Sequence, residues 1–250
     1  MRGSAVAHFP PSAWGRPREP QVGRVKRVLL SWSSGKDSAW ALHALRQRAD
    51  VEVVGLLTTI NAEADRVAMH AVRRELVEAQ ARAAGLPLTT LPLPWPCPNA
   101  EYERRMRRAC EEARERGAEA VAFGDLFLQD VRAYRERQLA GTGLGSLFPL
   151  WGLPTAELAR EMITSGLRAR LTCVDTRVLP AEFAGREFDE ALLRDLPSRT
   201  DPCGEKGEFH SFCHAGPMFP EAIPVEGGEV IVRDGFAFAD LKIAGRLEKP

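Results

Sequence analysis

The stretch Val28-Leu29-Leu30-Ser31-Trp32-Ser33-Ser34-Gly35-Lys36-Asp37-Ser38 runs from an apolar triplet straight into a small polar turn and then into a helix-period segment. The triplet has the texture of a parallel strand buried on both faces. A turn of serine, glycine and aspartate leading into a helix presents backbone N–H groups and a positive helix N-terminus to anionic oxygens, phosphate above all. It is not a Walker loop. That motif requires Gly five residues before Gly35, where Leu30 stands, and Ser or Thr after the lysine, where Asp37 stands. A tighter phosphate loop is expected.

Outward from the loop, Val51 to Ile60 reads as a second buried strand. Gly85, Gly117 and Gly166 each close a helical segment and precede a strand-like run, Leu86 to Leu93, Ala118 to Phe123 and Leu167 to Val174. Glycine suits the left-handed residue that ends a helix. Repetition of helix, glycine and strand gives successive βα units, hence an α/β fold with a doubly wound parallel sheet and right-handed crossovers. The clearest helix covers 99–116. There Tyr102, Met106, Ala109, Cys110 and Ala113 recur at helical spacing while Arg104, Arg105, Arg107 and Arg108 fill the other faces. After Asp175 the pattern loosens into a helix over Glu187 to Leu196, a glycine-rich turn at 201–208 and short strands towards the C-terminus. The expected division is a flexible Pro-rich extension over 1–23, a nucleotide-binding domain over 24–150 and a smaller α+β domain over 151–250.

Composition narrows the partners. The 250 residues carry 34 basic and 34 acidic side chains, a balance that argues against a dedicated nucleic-acid binder, whose phosphate contacts show as surplus Lys and Arg. Only five of the basic residues are Lys, among them Lys36 and Lys206, so a lysine inside a motif is informative. No run approaches the roughly 18 apolar residues of a membrane helix, and the expected location is cytoplasmic. The five cysteines are odd in number and scattered, which reads as reduced thiols.

Ser-x-Gly-Lys-Asp-Ser after the first strand resembles the PP-loop of the N-type ATP pyrophosphatases, usually Ser-Gly-Gly-x-Asp-Ser, which split ATP into AMP and pyrophosphate. Ser34 stands where that superfamily more often has glycine. Four further blocks sharpen the resemblance to the diphthine–ammonia ligase family: Thr58-Thr59-Ile60-Asn61 with Met69-His70, Phe123-Gly124-Asp125, Pro149-Leu150-Trp151, and Asp201-Pro202-Cys203-Gly204-Glu205-Lys206-Gly207-Glu208-Phe209-His210. The last, Cys-Gly-Glu-x-Gly-Glu-(Phe/Tyr)-His, is the specific one. Together they span most of the chain after the extension.

That resemblance implies an ATP-dependent, AMP-forming amide ligase with its site outside the carboxyl ends of the strands, where strand order reverses. Ser33, Ser34, Gly35, Lys36, Asp37 and Ser38 would hold the β- and γ-phosphates, with Lys36 neutralising developing charge and Asp37 helping to place Mg²⁺. Adenine would lie at Leu57 and Thr58, and His70 and Gly124 would complete the ATP site. Lys36, Asp125, Glu205, Glu208 and His210 are the candidate catalytic residues, Glu205 and Glu208 binding ammonium or a cationic acceptor and taking its proton. Arg132 and Glu136, four apart on a helix, read from the residues as an i,i+4 ion pair; matching spacing in related ligases adds a role in orienting the acceptor. Cys203, His210, Cys213 and His214 lack a C-x-x-C pair and rank low as a zinc site.

The implied cofactors are ATP and Mg²⁺. The implied partners are free ammonia and an acceptor carboxylate on an elongation factor-like protein or a small molecule, with no membrane and no nucleic acid; a homodimer is compatible. Two rivals are weighed. A PP-loop tRNA sulfurtransferase would want a persulfide-carrying cysteine pair and a basic appendage, and a non-enzymatic ATP-sensing module would bind without turnover.

Overall fold

A computed structural model describes residues 24–245, so the extension expected over 1–23 lies outside the described residues. The chain opens with β1 (Lys26–Ser31), α1 (Lys36–Arg46), β2 (Val51–Asn61), β3 (Arg66–Val67), α2 (Arg74–Ala84) and β4 (Leu88–Leu93). It continues through α3 (Asn99–Glu115), β5 (Ala120–Ala122), α4 (Gln129–Leu139), β6 (Gly145–Leu147) and α5 (Thr155–Thr164). There follow β7 (Arg168–Asp175), α6 (Glu190–Asp195), β8 (Phe209–Ala215), β9 (Val225–Arg233) and β10 (Phe236–Ile243).

β1 pairs in parallel with β2 on one side and β5 on the other; β4 and β6 extend the two flanks, also in parallel. Strand order therefore reverses between β2 and β5 at β1, the doubly wound arrangement expected, with its crevice at the end of β1. Side chains alternate between faces. Val28 and Leu30 face a core with Leu42, Leu45, Leu56 and Leu76, while Leu29 and Leu57 face Met106 and Ala109 of α3.

The two-residue β3 decides what stands over the crevice. β4 occupies one edge of β2 from Leu56 to Asn61, so β3, antiparallel at Ile60 and Asn61, takes the edge that β1 leaves after Leu57. The turn after β3 thus lies beyond the end of β1. His70 sits in that turn, ahead of α2, flanked by Met69 and Ala71 in the left-handed region (φ 64° and 55°). Such strain in non-glycine residues persists where surrounding contacts over-determine it.

The second sheet, β8-β7-β10-β9, is antiparallel throughout. Here one expectation is corrected: the run after Gly166 does form a strand, but β7 pairs with β8 and β10 and does not extend the parallel sheet. Helix, glycine and strand are local signals; the choice of partner is tertiary. The helix expected from Glu187 is shorter, because Asp189 caps it by accepting from the Leu192 amide at 2.8 Å. Glu187 instead lies in a bridge opposite Arg170. One apolar core runs from Leu30, Trp32 and Leu42 to Phe212, Met218 and Leu241, joining the two sheets into a continuous interior.

Candidate active site

The turn after β1 is held from within and from the second sheet. Ser34 has φ 71°, the left-handed conformation that glycine adopts without cost, which explains physically why glycine is favoured at this place. The Ser34 carbonyl accepts from the Cys213 amide at 2.9 Å and from the Gln80 side chain at 2.9 Å. Ser33 Oγ lies 3.2 Å from Ser38 Oγ, and Ser38 donates to the Gly35 carbonyl at 3.0 Å. The Lys36 amide donates to Ser211 Oγ at 3.2 Å. Asp37 and Ser38, in the first turn of α1, have amides with no intrahelical acceptor and line the cleft.

Lys36 is buried, 2 % exposed. Its ammonium donates to both carboxylate oxygens of Asp37, at 2.9 and 2.8 Å, and to the Cys203 carbonyl. The Phe188 and Phe209 rings lie 5.4 and 5.5 Å away. Burial disfavours the charge, but Asp37, with help from Cys203 and Glu205, outweighs it, so Lys36 is held above its ordinary value and stays cationic.

Two glycines make the close approaches possible. A Cβ on Gly35 would meet His70 Cε1 at 3.0 Å, and one on Gly124 would meet the Asp37 carbonyl carbon at 2.9 Å. His70 Nδ1 lies 3.1 Å from the Ser211 carbonyl, and its ring stacks on His210 at 4.6 Å. The cleft so framed encloses about 470 Å³. One end is apolar, with Leu57, Val67, Leu93, Tyr102 and Met106; the other carries Ser33, Lys36, Asp37, Ser38, Asp125 and Glu205.

Three carboxylates face one another at the polar end. Glu205 Oε1 accepts from the Leu126 amide at 2.7 Å, yet burial first, then Asp37 and Asp125, push its carboxyl up to about 7. Burial, together with Asp37, also raises Asp125 against the pull of Arg135. Arg135 Nε lies 3.5 Å from Asp125 Oδ2. Arg135 was not among the expected residues, although it lies one turn along α4 from Val131 and both line the cleft. Heptad-like spacing from Leu128 could have found it.

The remaining expected residues are placed as follows. Ser33, Lys36, Asp37, Ser38, Leu57, His70, Gly124, Asp125, Glu205 and His210 line one cleft. Thr58 does not: alternation along β2 turns it into the interior, 2 % exposed, and Thr59 lines the cleft instead. Glu208 is also turned away. Its two oxygens accept from the Asp201 amide at 3.0 Å and the Lys206 amide at 2.9 Å, so it braces the turn that carries Glu205. Arg132 and Glu136 form the i,i+4 pair at 2.9 Å on an exposed face, with the guanidinium 4.8 Å from the Phe148 and Trp151 rings. His214 pairs with Glu187 at 3.2 Å. Among the described residues no three His, Cys, Asp or Glu side chains form a group that could hold a metal on their own. Asp37 and Asp125 still suit Mg²⁺ carried on a triphosphate, which needs only one or two protein carboxylates.

No helix among the described residues is long and apolar enough to cross a membrane. Comparison with known proteins gives two family matches that follow one another along the chain: the diphthamide synthase N-terminal domain over residues 26–146 and the diphthamide synthase C-terminal domain over 154–246. Curated relatives named diphthine–ammonia ligase are similar to it. The cattle protein is 26% identical over 246 residues, covering 89% of this chain and 91% of its own. The zebrafish protein is 28% identical over 235 residues, 85% and 91%. The human protein is 30% identical over 135 residues, 52% of this chain and 51% of its own.

Proposed function

The chain belongs to the diphthamide synthase family, and from that membership we propose that it is an ATP-dependent ligase joining ammonia to an acceptor carboxylate, with release of AMP and pyrophosphate. The observation that carries the reading is the meeting of two distant motif blocks: the Lys36 ammonium of the phosphate loop donates to the Cys203 carbonyl, 167 residues away, in the turn that presents Glu205. Neither block alone specifies this chemistry. Together they put a phosphate cradle and a carboxyl of raised pKa on one cleft.

In the proposed sequence the acceptor carboxylate oxygen attacks the α-phosphorus, the bond to the bridging oxygen breaks, and pyrophosphate leaves. Ammonia then adds to the mixed anhydride carbonyl, AMP departs, and the nitrogen loses its proton. Adenine lies in the apolar end, against Leu57, Tyr102 and Met106. The first-turn amides of α1, the Ser33 and Ser38 hydroxyls and Lys36 receive the departing phosphates; a preset charge of this kind costs no reorganisation at the moment of reaction. Bound Mg²⁺ would supply further neutralisation of the triphosphate, with Asp37 and Asp125 to hold it. Glu205, with a pKa of about 7, is ionised above neutrality, where its carboxylate can bind the ammonium cation and take the proton released on attack. His70 and His210 remain neutral and close the cleft above the phosphates.

The acceptor is proposed to be a carboxylate such as diphthine on an elongation factor-like protein, by the name of the curated relatives. No observation favours a sulfurtransferase: Cys203 and Cys213 are buried, the Cys203 thiol is pushed up to about 12 by burial, and neither lines the cleft. Incubation with MgATP, ammonium and a diphthine-bearing or other carboxylate acceptor should yield AMP and pyrophosphate in step with amide. Release of ADP and phosphate would sink the reading.

A further inference from the structure

Among the described residues, the second sheet ends in an open edge. β9 pairs with β10 and is the last strand in the order β8-β7-β10-β9. Near its C-terminal end Val230, Ile231 and Val232 are 45, 51 and 59% exposed, three consecutive large apolar side chains. The other exposed large hydrophobics among the described residues, such as Val25, Trp95 and Leu153, are isolated in sequence. An apolar edge strand is a template for pairing, and proteins normally blunt it with charge, proline or a bulge. Here the bulge opposite Ala239 to Leu241 falls before Val230 and leaves the Val-Ile-Val segment regular.

The hairpin fixes which main-chain groups face out. Asp234 and Gly235, both with positive φ (51° and 80°), form a two-residue turn between Arg233 and Phe236. Arg233 therefore exchanges hydrogen bonds with Phe236, and by alternation so does Ile231 with Phe238. Val230 and Val232 are left with their N–H and C=O groups pointing to the free edge. On side chains the alternation is reversed: Ile231 shares a face with Phe236 and Phe238, whose rings lie 6.2 Å apart, and Arg233 covers Phe238 at 4.9 Å.

We propose that β9 is a homodimer interface, in which two copies pair antiparallel through this edge about a two-fold axis at Ile231. The register follows from the strand's own pattern. With Ile231 opposite Ile231, Val230 faces Val232 of the other copy, so the outward main-chain groups meet as hydrogen-bonded pairs. Glu229 then faces Arg233, on both sides of the axis. Shifting the sum of paired numbers by two in one direction sets Glu229 against Ile231, and in the other sets Arg233 against Ile231; neither keeps an ion pair. Opposite charges directly across a non-hydrogen-bonded or neighbouring position stabilise a pair of strands, and like charges destabilise it. The occupant that fits hydrogen bonds, apolar centre and charge at once is a second β9, and the two four-stranded sheets become one of eight.

Sedimentation of the full chain over a range of concentrations tests this. Wild type is expected to show a reversible dimer. Ile231→Lys, which places two ammonium groups on the axis, should sediment as monomer while melting as a folded protein. Glu229→Arg alone should weaken the dimer at least tenfold, and Glu229→Arg with Arg233→Glu should restore it, a rescue that misfolding would not give. A wild-type monomer at all concentrations, whether its edge is bare or covered by the chain's own terminal residues, overturns the proposal, as does a dimer that Ile231→Lys leaves intact.

Discussion

The imidazole rings of His70 and His210 stack at 4.6 Å with a 35° tilt, joining the turn before α2 to a strand of the second sheet. Burial, partly offset by the Ser211 carbonyl and aided by Lys36, brings His70 down to about 4. Burial, then His70 and Lys36, brings His210 to about 3. In the unfolded chain both titrate near 6.5. As pH falls from about 6.5 to about 4, the unfolded state takes up protons that the folded state refuses, so these two residues lower stability with a slope approaching about 1.4 kcal/mol per pH unit each. Glu205, raised to about 7, acts in the opposite sense between about pH 7 and 4.5, because the folded state holds its proton. Urea unfolding of His210→Gln across that range should show a flatter acid limb than wild type; an unchanged slope contradicts the neutral pair.

Glu205 sets the expected pH dependence of ligation. Its carboxylate form, needed to take a proton from the ammonium nitrogen, is gained as pH rises through about 7. With free ammonia held constant, amide formation at saturating ATP should therefore rise through that value, and Glu205→Gln should lose about 10²- to 10⁴-fold in rate together with the limb itself. ATP affinity, measured by calorimetry, should change little. Retention of the wild-type profile by the variant would remove Glu205 from the proton path.

Gly124 packs its Cα against the Asp37–Ser38 peptide, and a Cβ there would meet Asp37 backbone atoms at 2.9 and 3.0 Å and the Ser38 amide nitrogen at 3.0 Å. These are main-chain atoms at a helix start and cannot swing aside as a side-chain end can. Gly124→Ala should cost about 1–3 kcal/mol of stability as an overpacked site and displace the phosphate cradle. A loss of ATP affinity larger than the loss for Gly145→Ala, where the added Cβ finds only ordinary contacts at 3.8 Å, is the discriminating result.

The sequence was most legible where structure is local. The apolar triplet at Val28, the glycines at 85, 117 and 166 and the spacing of α3 each act within a few residues, and the loop from Ser33 to Ser38 combines all the needed groups in six positions. The partner of β7 was not legible, since Gly166 and the strand after it carry the same local grammar as the parallel units while Phe209 and Phe212, forty residues on, decide the pairing side. Glu205 and Glu208 are separated by two residues and look equivalent in sequence. Only the closed turn distinguishes them, one aimed at the cleft and one bound by the Asp201 and Lys206 amides. The Asp234-Gly235 hairpin signal stood in the sequence and would have located the exposed edge strand.

Gln80 is the residue through which the second sheet governs the phosphate loop. It is fully buried, its oxygen accepts from the Trp32 indole at 2.8 Å, and its amide donates to the carbonyls of Ser34 at 2.9 Å and Cys213 at 2.6 Å. Ser34 keeps a second partner in the Cys213 amide, so Gln80→Leu leaves the indole N–H and the Cys213 carbonyl unpaired. At about 1–3 kcal/mol for each buried unsatisfied group, the variant should lose about 2–6 kcal/mol, with a raised KM for ATP because Ser34 loses one of the two contacts that hold its left-handed backbone. Gln80→Glu keeps the acceptor for Trp32 but sets a carboxylate oxygen against two carbonyls. Its carboxyl pKa must rise in the folded state, so relative to wild type at the same pH it should recover stability on acidification, whereas Gln80→Leu should not. Denaturant midpoints of the two variants at mildly acidic and mildly alkaline pH separate a hydrogen-bonded clamp from a residue that merely fills space.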